Sequence, residues 1–150
     1  GVFAPADSVT RAEFVKMIVL ALFESDSSAN SDFADVDKNS WSYPYISTAY
    51  KMGLVQGNAN GFGTSDNITR QDMAVIIGRC MEKKNIVLSS KDANSFDDDS
   101  LISDYAKGAV ALMKSEGIIN GKGNNMFAPL DNLTRAEAAV IIMRVINLLR

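Results

Sequence analysis

The stretch NLTRAEAAV, residues 132–140, predicts the start of a helix. Thr134 suits the N-cap position, and Glu137, three residues later, would complete a capping box. The first residue inside this helix is Arg135. A positive charge at this position interacts unfavourably with the helix dipole, at a cost of roughly 0.3–1 kcal/mol in stability. A cation in that position indicates that a nearby anion offsets its cost.

The same arrangement occurs three times, because SVTRAEFV starts at Ser8 and NITRQDMA starts at Asn67. The three copies supply the N-cap threonines Thr10, Thr69 and Thr134, the capping acids Glu13, Asp72 and Glu137, and the arginines Arg11, Arg70 and Arg135. The threonines and acids have a capping role, but the arginines do not. Each arginine therefore either pairs with a nearby carboxylate or binds an anion from outside, which a helix N-terminus also favours.

Bulk composition narrows the classes of function. The chain has 150 residues, of which 47% are hydrophobic and 22% charged, as in a globular protein with a sizeable core. Its net charge is -3 and its basic residues are scattered, so we expect no nucleic-acid partner. No apolar run approaches the ~20 residues of a membrane span, so we expect no membrane insertion.

Residues that usually carry catalysis are scarce. The chain has no His, and its single cysteine, Cys80, falls at a repeated apolar position that predicts a core residue. The acids that can be placed all lie at repeated capping or loop positions, which is not the pattern of a single active site. We therefore expect no enzyme activity, no catalytic residue and no cofactor.

A calcium loop is one alternative. The stretch DVDKNS, residues 35–40, offers Asp35, Asp37 and Asn39 in the spacing that opens such loops. Ser40 stands where these loops need Gly, so a metal site is not the preferred interpretation. The related stretch DDDS, residues 97–100, is interpreted as a solvated loop and helix cap.

Internal repetition extends beyond the helix starts. A phenylalanine lies seven residues before each N-cap threonine, and we expect all three to be in the core: Phe3, Phe62 and Phe127. A second block recurs at residues 33–57 and 96–121. In each block we predict a helix of about twelve residues that ends at Gly53 or Gly117.

The helices that begin with Thr-Arg are apolar nearly all round, which is typical of helices buried on most sides. The sequence therefore predicts an all-α fold, with a central bundle of three such helices and the second kind of helix packed outside. The pattern holds three inner helices and only two outer ones. We expect that the third outer helix is either cut away or supplied by another chain, as in a helix-sharing oligomer.

These residues resemble the S-layer homology domain family. The motifs are FADV at residues 33–36 with Trp41, the glycine turns at 53–57 and 117–121, and the three Thr-Arg pairs. The resemblance covers about two and a half modules: residues 1–29 (second half only), 30–88 and 89–150. It implies a pseudo-threefold spindle in which all three form one compact domain.

The resemblance also implies a function, namely non-covalent anchoring of an exported protein to the bacterial cell wall or S-layer. Grooves between modules would bind a secondary cell-wall polysaccharide that carries a pyruvate ketal. The expected contacts with the ketal carboxylate are Arg11, Arg70 and Arg135, helped by free backbone N–H groups at the helix N-termini. The other expected ligand-binding residues are the aromatic Trp41 and Tyr105 and the turn residues Gln56, Gly57, Asn120 and Gly121.

Several points differ from the family pattern or stay open. Tyr105 replaces the expected Trp, and Gln71 and Asp72 replace Ala and Glu. The first block with an outer helix is absent, so we expect at most two competent grooves in one chain. A protein-interaction scaffold that uses the same grooves is an alternative function. If the arginines bind only an outside anion, Arg70→Ala should cost little stability, whereas Thr69→Ala should cost roughly 0.5–2 kcal/mol.

Overall fold

The computed structural model describes residues 4–86 and 95–149. These residues form five α-helices and one short 3-10 helix: α1 (Arg11–Leu22), α2 (Tyr43–Lys51), α3 (Arg70–Lys83), the 3-10 helix (Asp99–Leu101), α4 (Asp104–Ser115) and α5 (Arg135–Leu148). Within the described ranges there is no β-strand, only isolated bridges, which confirms the all-α prediction. None of these helices is long and apolar enough to cross a membrane.

Helices α1, α3 and α5 begin at the arginine that the sequence places first. In α1 and α5 both hydrogen bonds of the capping box are present. In α3 the Thr69 hydroxyl accepts the Asp72 backbone N–H at 3.3 Å. The shorter Asp72 side chain does not return the bond to the Thr69 N–H and bonds elsewhere, as described below.

Helices α2 and α4 end at the predicted glycines. Gly53 and Gly117 follow the two C-caps with φ of 76° and 74°, a left-handed conformation that only glycine adopts without strain. α4 has the predicted length of 12 residues. α2 has only 9, because it begins late, with Pro44 in its first turn.

A closed ring of backbone hydrogen bonds joins the residues that precede the three N-caps. The Val9 N–H donates to the Leu133 carbonyl (3.0 Å), Leu133 donates to Ile68 (2.9 Å), and Ile68 donates back to Val9 (2.9 Å). All three side chains are fully buried. The starts of α1, α3 and α5 therefore meet around one point, related cyclically to one another.

The repeat-phased phenylalanines lie in the core, as predicted. Phe62 and Phe127 are buried, and each ring packs against the phenylalanine that opens the preceding block, Phe33 at 5.6 Å and Phe96 at 5.4 Å between ring centres. Phe3 lies outside the described residues. Cys80 is also in the core, and burial raises the pKa of its thiol to about 12.

The packing of the outer helices leaves α5 uncovered. α2 packs on α1 and α4 packs on α3, whereas no outer helix packs on α5 in the described part of the chain. Met143 of α5 is 63% exposed, although Val19 and Gly78, which also stand nine residues after the N-cap threonine of their helices, are buried. The expectation that all three inner helices are buried on most sides is thus wrong for α5, because no helix of residues 4–86 or 95–149 covers that face.

Candidate functional site

Each Thr-Arg arginine forms an ion pair with the capping acid of the next inner helix. The three pairs are Arg11 with Asp72 (Nη1 to Oδ2, 3.5 Å), Arg70 with Glu137, and Arg135 with Glu13. They run from α1 to α3, from α3 to α5 and from α5 back to α1. Of the two alternatives left by the sequence, the internal carboxylate is therefore present at all three helix starts.

Arg70 is the most deeply enclosed of the three arginines. Its side chain is 3% exposed, its Nε donates to the Phe127 carbonyl at 2.8 Å, and its guanidinium lies 5.1 Å from the centre of the Phe127 ring. Burial lowers the pKa of this guanidinium, while the nearby charges of Asp131 and Asp98 raise it. Arg11 repeats these contacts with Phe62, at 3.0 Å to the carbonyl and 4.9 Å to the ring centre.

The backbone N–H groups of the first helical turn are also in use. Those of the three arginines donate to carbonyls in the loops that lead to the neighbouring helices: Arg11 to Asp66 (2.8 Å), Arg70 to Asp131 (2.9 Å) and Arg135 to Asp7 (2.9 Å). The N–H groups of the next residues donate to the same loops, at Thr64, Pro129 and Pro5. The expectation of free N–H groups for an incoming anion is therefore wrong, because protein carbonyls already occupy those donors.

The first inter-repeat groove, called groove I, brings together four of the nine expected ligand-binding residues: Arg11, Gln56, Gly57 and Tyr105. It has a volume of about 460 Å³ and is lined by Arg11, Val55, Gln56, Gly57, Asn58, Asp72, Val75, Ile76, Arg79 and Tyr105. Gln56 is exposed beside the Thr-Arg arginine. Tyr105, from the start of α4, closes one side, and Val75 and Ile76 of α3 give it an apolar floor.

Groove II is the equivalent space one repeat further along. It has a volume of about 420 Å³ and is lined by Arg70, Ile118, Ile119, Asn120, Gly121, Ala136, Glu137, Val140, Ile141 and Arg144. It keeps the arginine, the glycine turn and the apolar floor. Among the described residues, no aromatic side chain stands where Tyr105 stands in groove I, because the corresponding helix is not part of the described fold.

Groove III lies between α5 and α1 and has a volume of about 500 Å³. Its lining residues are Glu13, Lys16, Met17, Leu20, Trp41 and Arg135. Trp41 is 54% exposed, with the Lys16 ammonium 5.3 Å from its ring centre. Trp41 is therefore not a core residue, and it does not share a groove with Gln56 and Gly57.

The turn glycines have a structural reason to be glycine. A Cβ at Gly57 would come within 2.3 Å of the Phe33 ring, and a Cβ at Gly121 within 2.7 Å of the Met126 carbonyl oxygen. These glycines let the turn pack closely on the protein itself. That Gly57 and Gly121 also let a ligand approach the backbone closely remains an expectation.

Gln71 and Asp72, the two departures of the middle copy, hold Tyr105 in groove I. The Tyr105 hydroxyl donates to Asp72 Oδ1 at 2.6 Å and accepts from Gln71 Nε2 at 3.2 Å. Gln71 also accepts the Ser103 backbone N–H at 2.9 Å, which ties down the start of α4. Burial, then the hydrogen bond and charge of Asp72, raise the pKa of the Tyr105 hydroxyl.

Asp35 has a structural role that differs from calcium binding. Its carboxylate accepts the backbone N–H groups of Phe62 (2.7 Å), Gly63 (2.7 Å) and Thr64 (3.0 Å). Burial raises the pKa of this carboxyl, but the N–H donors outweigh that effect and lower it to about 2. No cluster of three or more His, Cys, Asp or Glu side chains in residues 4–86 and 95–149 could hold a metal ion.

Asp98 repeats this role in the next block. Its carboxylate accepts the N–H groups of Phe127 (2.9 Å) and Ala128 (2.8 Å). Asp98 is buried, so the interpretation of residues 97–100 as a solvated loop is wrong at this position. The aspartate two residues after Phe33 or Phe96 therefore fixes the loop that carries the phenylalanine packed against it.

The sequence analysis missed Arg79 and Arg144, which line grooves I and II. Both stand ten residues after an N-cap threonine, the position that Leu20 occupies in the first copy. Arg79 Nη1 donates to the Leu54 carbonyl at 3.3 Å, and Arg144 Nη1 donates to the Ile118 carbonyl at 2.9 Å. The repeat alignment contained this signal, but both residues lie inside helices where an arginine has ordinary helix propensity.

Comparison with known proteins gives a family match and a set of relatives. A family model described as the S-layer homology domain matches residues 32–74 and 95–139. The chain is 42% identical over 144 residues to the exoglucanase XynX of Acetivibrio thermocellus and 30% identical over 145 residues to the S-layer protein sap of Bacillus anthracis. It is 25% identical over 149 residues to a cellulosome-anchoring protein of Acetivibrio thermocellus.

These alignments use most of this chain but little of each relative. They cover 93%, 96% and 96% of this chain, in the order given, and 13%, 17% and 33% of the three relatives. The similarity thus concerns most of this chain and a minor part of each relative.

Proposed function

The chain belongs to the S-layer homology domain family, and on that premise we propose that it anchors an exported protein non-covalently to the bacterial cell wall. The relatives named as an S-layer protein and as a cellulosome-anchoring protein support this assignment. In this proposal the chain acts outside the cell as a binding module without catalytic activity. Its three segments, residues 1–29, 30–88 and 89–150, form one pseudo-threefold spindle, which the cyclic ring of hydrogen bonds through Val9, Ile68 and Leu133 supports.

The proposed ligand is an anionic cell-wall polysaccharide that carries pyruvate ketals. Groove I is the observation that carries this part of the proposal, because it combines guanidinium groups, an aromatic side chain, an exposed amide and an apolar floor. Guanidinium groups bind carboxylates through paired hydrogen bonds. Tyr105, Val75 and Ile76 offer apolar surface to sugar rings and to the ketal methyl group.

The three grooves differ in how many of the expected ligand-binding features they contain. Among the described residues, only groove I has a Thr-Arg arginine, a glycine turn and an aromatic side chain together. Groove II has Arg70 with Asn120 and Gly121, and groove III has Arg135 with Trp41. We therefore propose groove I as the principal site, with groove II as the second.

A pull-down on purified cell-wall sacculi tests the proposal. The chain is mixed with native sacculi and with sacculi from which pyruvate has been removed chemically, and the bound fraction is measured. We expect retention on native sacculi and loss of retention after removal of pyruvate. Equal retention on both would show that the carboxylate is not recognised, and it would favour a protein-interaction scaffold.

A further inference from the structure

We propose that Arg79 in groove I and Arg144 in groove II provide the main contact with the ligand carboxylate, rather than the Thr-Arg arginines of the same grooves. This inference rests on the proposed function, because it assigns the anion to a particular residue within each groove. It concerns a side chain at the tenth position after each N-cap threonine.

The two sets of arginines differ in whether a carboxylate of the protein lies next to the guanidinium. Arg11 and Arg70 are each paired with a carboxylate of the protein. Within the described ranges, no carboxylate lies at ion-pair distance from Arg79 or Arg144. An anion that enters the groove gains more from a guanidinium that is not already neutralised, and it would have to displace Asp72 or Glu137 to use the other pair.

The hydrogen bonds that Arg79 and Arg144 form with the described residues use one donor of each side chain. A guanidinium has five N–H donors. Arg79 uses one on the Leu54 carbonyl, and Arg144 uses one on the Ile118 carbonyl, so each is held next to the glycine turn of its groove. A held guanidinium loses less side-chain entropy when it binds a carboxylate than a free one does.

The spacing along the helix gives the groove two charged ends. Arg79 lies seven residues after Asp72 on α3, and Arg144 lies seven residues after Glu137 on α5, which is about 10.5 Å along the helix. Each groove therefore has an internal ion pair at the start of its helix. Two turns further on it has a guanidinium with no carboxylate of residues 4–86 and 95–149 at ion-pair distance. The apolar residues that line each groove between them are suited to a sugar ring.

Groove III provides an internal comparison. Leu20 occupies the equivalent position, so groove III has no second guanidinium there. Its ammonium group, Lys16, instead faces the rings of Trp41 and Tyr45 at 5.3 and 5.6 Å. Grooves I and II therefore bind a carboxylate through the arginine at this position, and groove III does not.

Substitution by the residue of groove III tests the inference. Titration calorimetry with the purified pyruvylated polysaccharide is run on the wild type, Arg79→Leu, Arg144→Leu and the double variant. We expect the double variant to bind about 10- to 100-fold more weakly, as for loss of a charge-assisted hydrogen bond, and to depend less on salt concentration. Lys107→Leu serves as the matched control and should bind like the wild type. It removes a partly exposed cation of α4 that pairs with Asp104 and does not line any of the three grooves.

The outcomes separate this inference from the proposed function. If the wild type and the double variant bind equally well, the assignment to Arg79 and Arg144 is wrong while carbohydrate binding stands. If the wild type itself does not bind, both are wrong. Thermal melting of each variant is measured alongside, and an unchanged melting temperature ties weaker binding to the groove instead of to folding.

Discussion

Arg70 of α3 forms an ion pair with Glu137 of α5, although Arg70 occupies the first helical position, where the dipole of its own helix opposes a cation. Glu137 is at the same time the third residue of α5 and closes the capping box of that helix. One carboxylate thus caps its own helix and neutralises the arginine of the preceding one. Glu13 of α1 has the same two roles towards its own helix and Arg135 of α5. Asp72 of α3 pairs with Arg11 of α1 without closing a capping box, so the three ion pairs link the inner helices in a cycle.

This relation changes the stability expected of arginine variants. The Arg70 side chain is nearly closed off from solvent at 3% exposed, and that of Glu137 is 24% exposed. Arg70→Ala would leave this partly buried carboxylate without its partner. We expect Arg70→Ala to lower the free energy of unfolding by about 2–3 kcal/mol, whereas Thr69→Ala should lower it by roughly 0.5–2 kcal/mol. Arg11→Ala, which breaks a longer and more exposed pair, should have a smaller effect of about 1 kcal/mol.

Urea denaturation of the three variants measures these differences. We therefore expect Arg70→Ala to be less stable than Thr69→Ala. The reverse order is expected if the arginines bind only an outside ligand and form no internal ion pair. A Thr69→Ala variant less stable than Arg70→Ala would show that the buried pair contributes little.

The pH dependence of stability follows from Asp35. Its folded-state pKa of about 2 lies below the ordinary value of 3.8, so its contribution to stability is fully present above about pH 4. That contribution is lost as the pH falls through the folded-state value. We expect the wild type to be more stable than Asp35→Asn at pH 6, and the difference to shrink steadily between pH 4 and pH 2.

Urea midpoints at several pH values measure this change. Asp37→Asn is the control. Among the described residues, the Asp37 carboxylate accepts the N–H of Asn39 in its own exposed turn and no N–H of the loop at residues 62–64. A difference between the wild type and Asp35→Asn that stays constant down to pH 2 would contradict the role given to the Asp35 carboxylate.

The role of Tyr105 in groove I can be divided between its ring and its hydroxyl. Tyr105→Ala removes both, and we expect about a tenfold loss of affinity for the polysaccharide, in line with loss of an aromatic contact. Tyr105→Phe keeps the ring but removes the hydrogen bond to Asp72, so it should retain most of the affinity. Calorimetry on both variants distinguishes the contributions, and equal losses would mean that the hydroxyl network, not the ring, positions the ligand.

The uncovered face of α5 predicts self-association. Ala139, Val140 and Met143 are exposed there, while outer helices cover the equivalent faces of α1 and α3. Exposed apolar patches of this kind mark interaction surfaces. We expect light scattering to give a mass above that of one chain, which Met143→Lys should reduce to that of one chain.

Leu130→Lys is the control for that experiment, because Leu130 is at least as exposed as Met143 but lies outside α5. It should leave the mass unchanged. A wild-type chain that is already monomeric at the highest concentration measured would contradict self-association through α5.

The sequence predicted the local features well, because each depends on residues close together in the chain. The start of α5 at Arg135 and the end of α4 before Gly117 both follow from capping chemistry within a few residues. The partner of Arg135 could not be predicted in this way. It is Glu13, 122 residues away, and the two meet only because the inner helices are arranged in a cycle.

Two further features could not be predicted from the sequence, because each depends on contacts between distant parts of the chain. The N–H groups at the start of each inner helix are occupied by loop carbonyls from the neighbouring helix start, such as the Asp66 carbonyl at Arg11, and no local pattern reports such a contact. Arg79 lies in the middle of α3, where its side chain reaches groove I only because α3 packs beside the turn at Leu54.

A crystal structure of this chain with a pyruvylated fragment of the cell-wall polysaccharide tests the central claim most directly. We predict that the fragment lies in groove I, with its carboxylate at hydrogen-bonding distance from Arg79 and a sugar ring against Tyr105. A fragment bound with its carboxylate outside all three grooves would contradict the account.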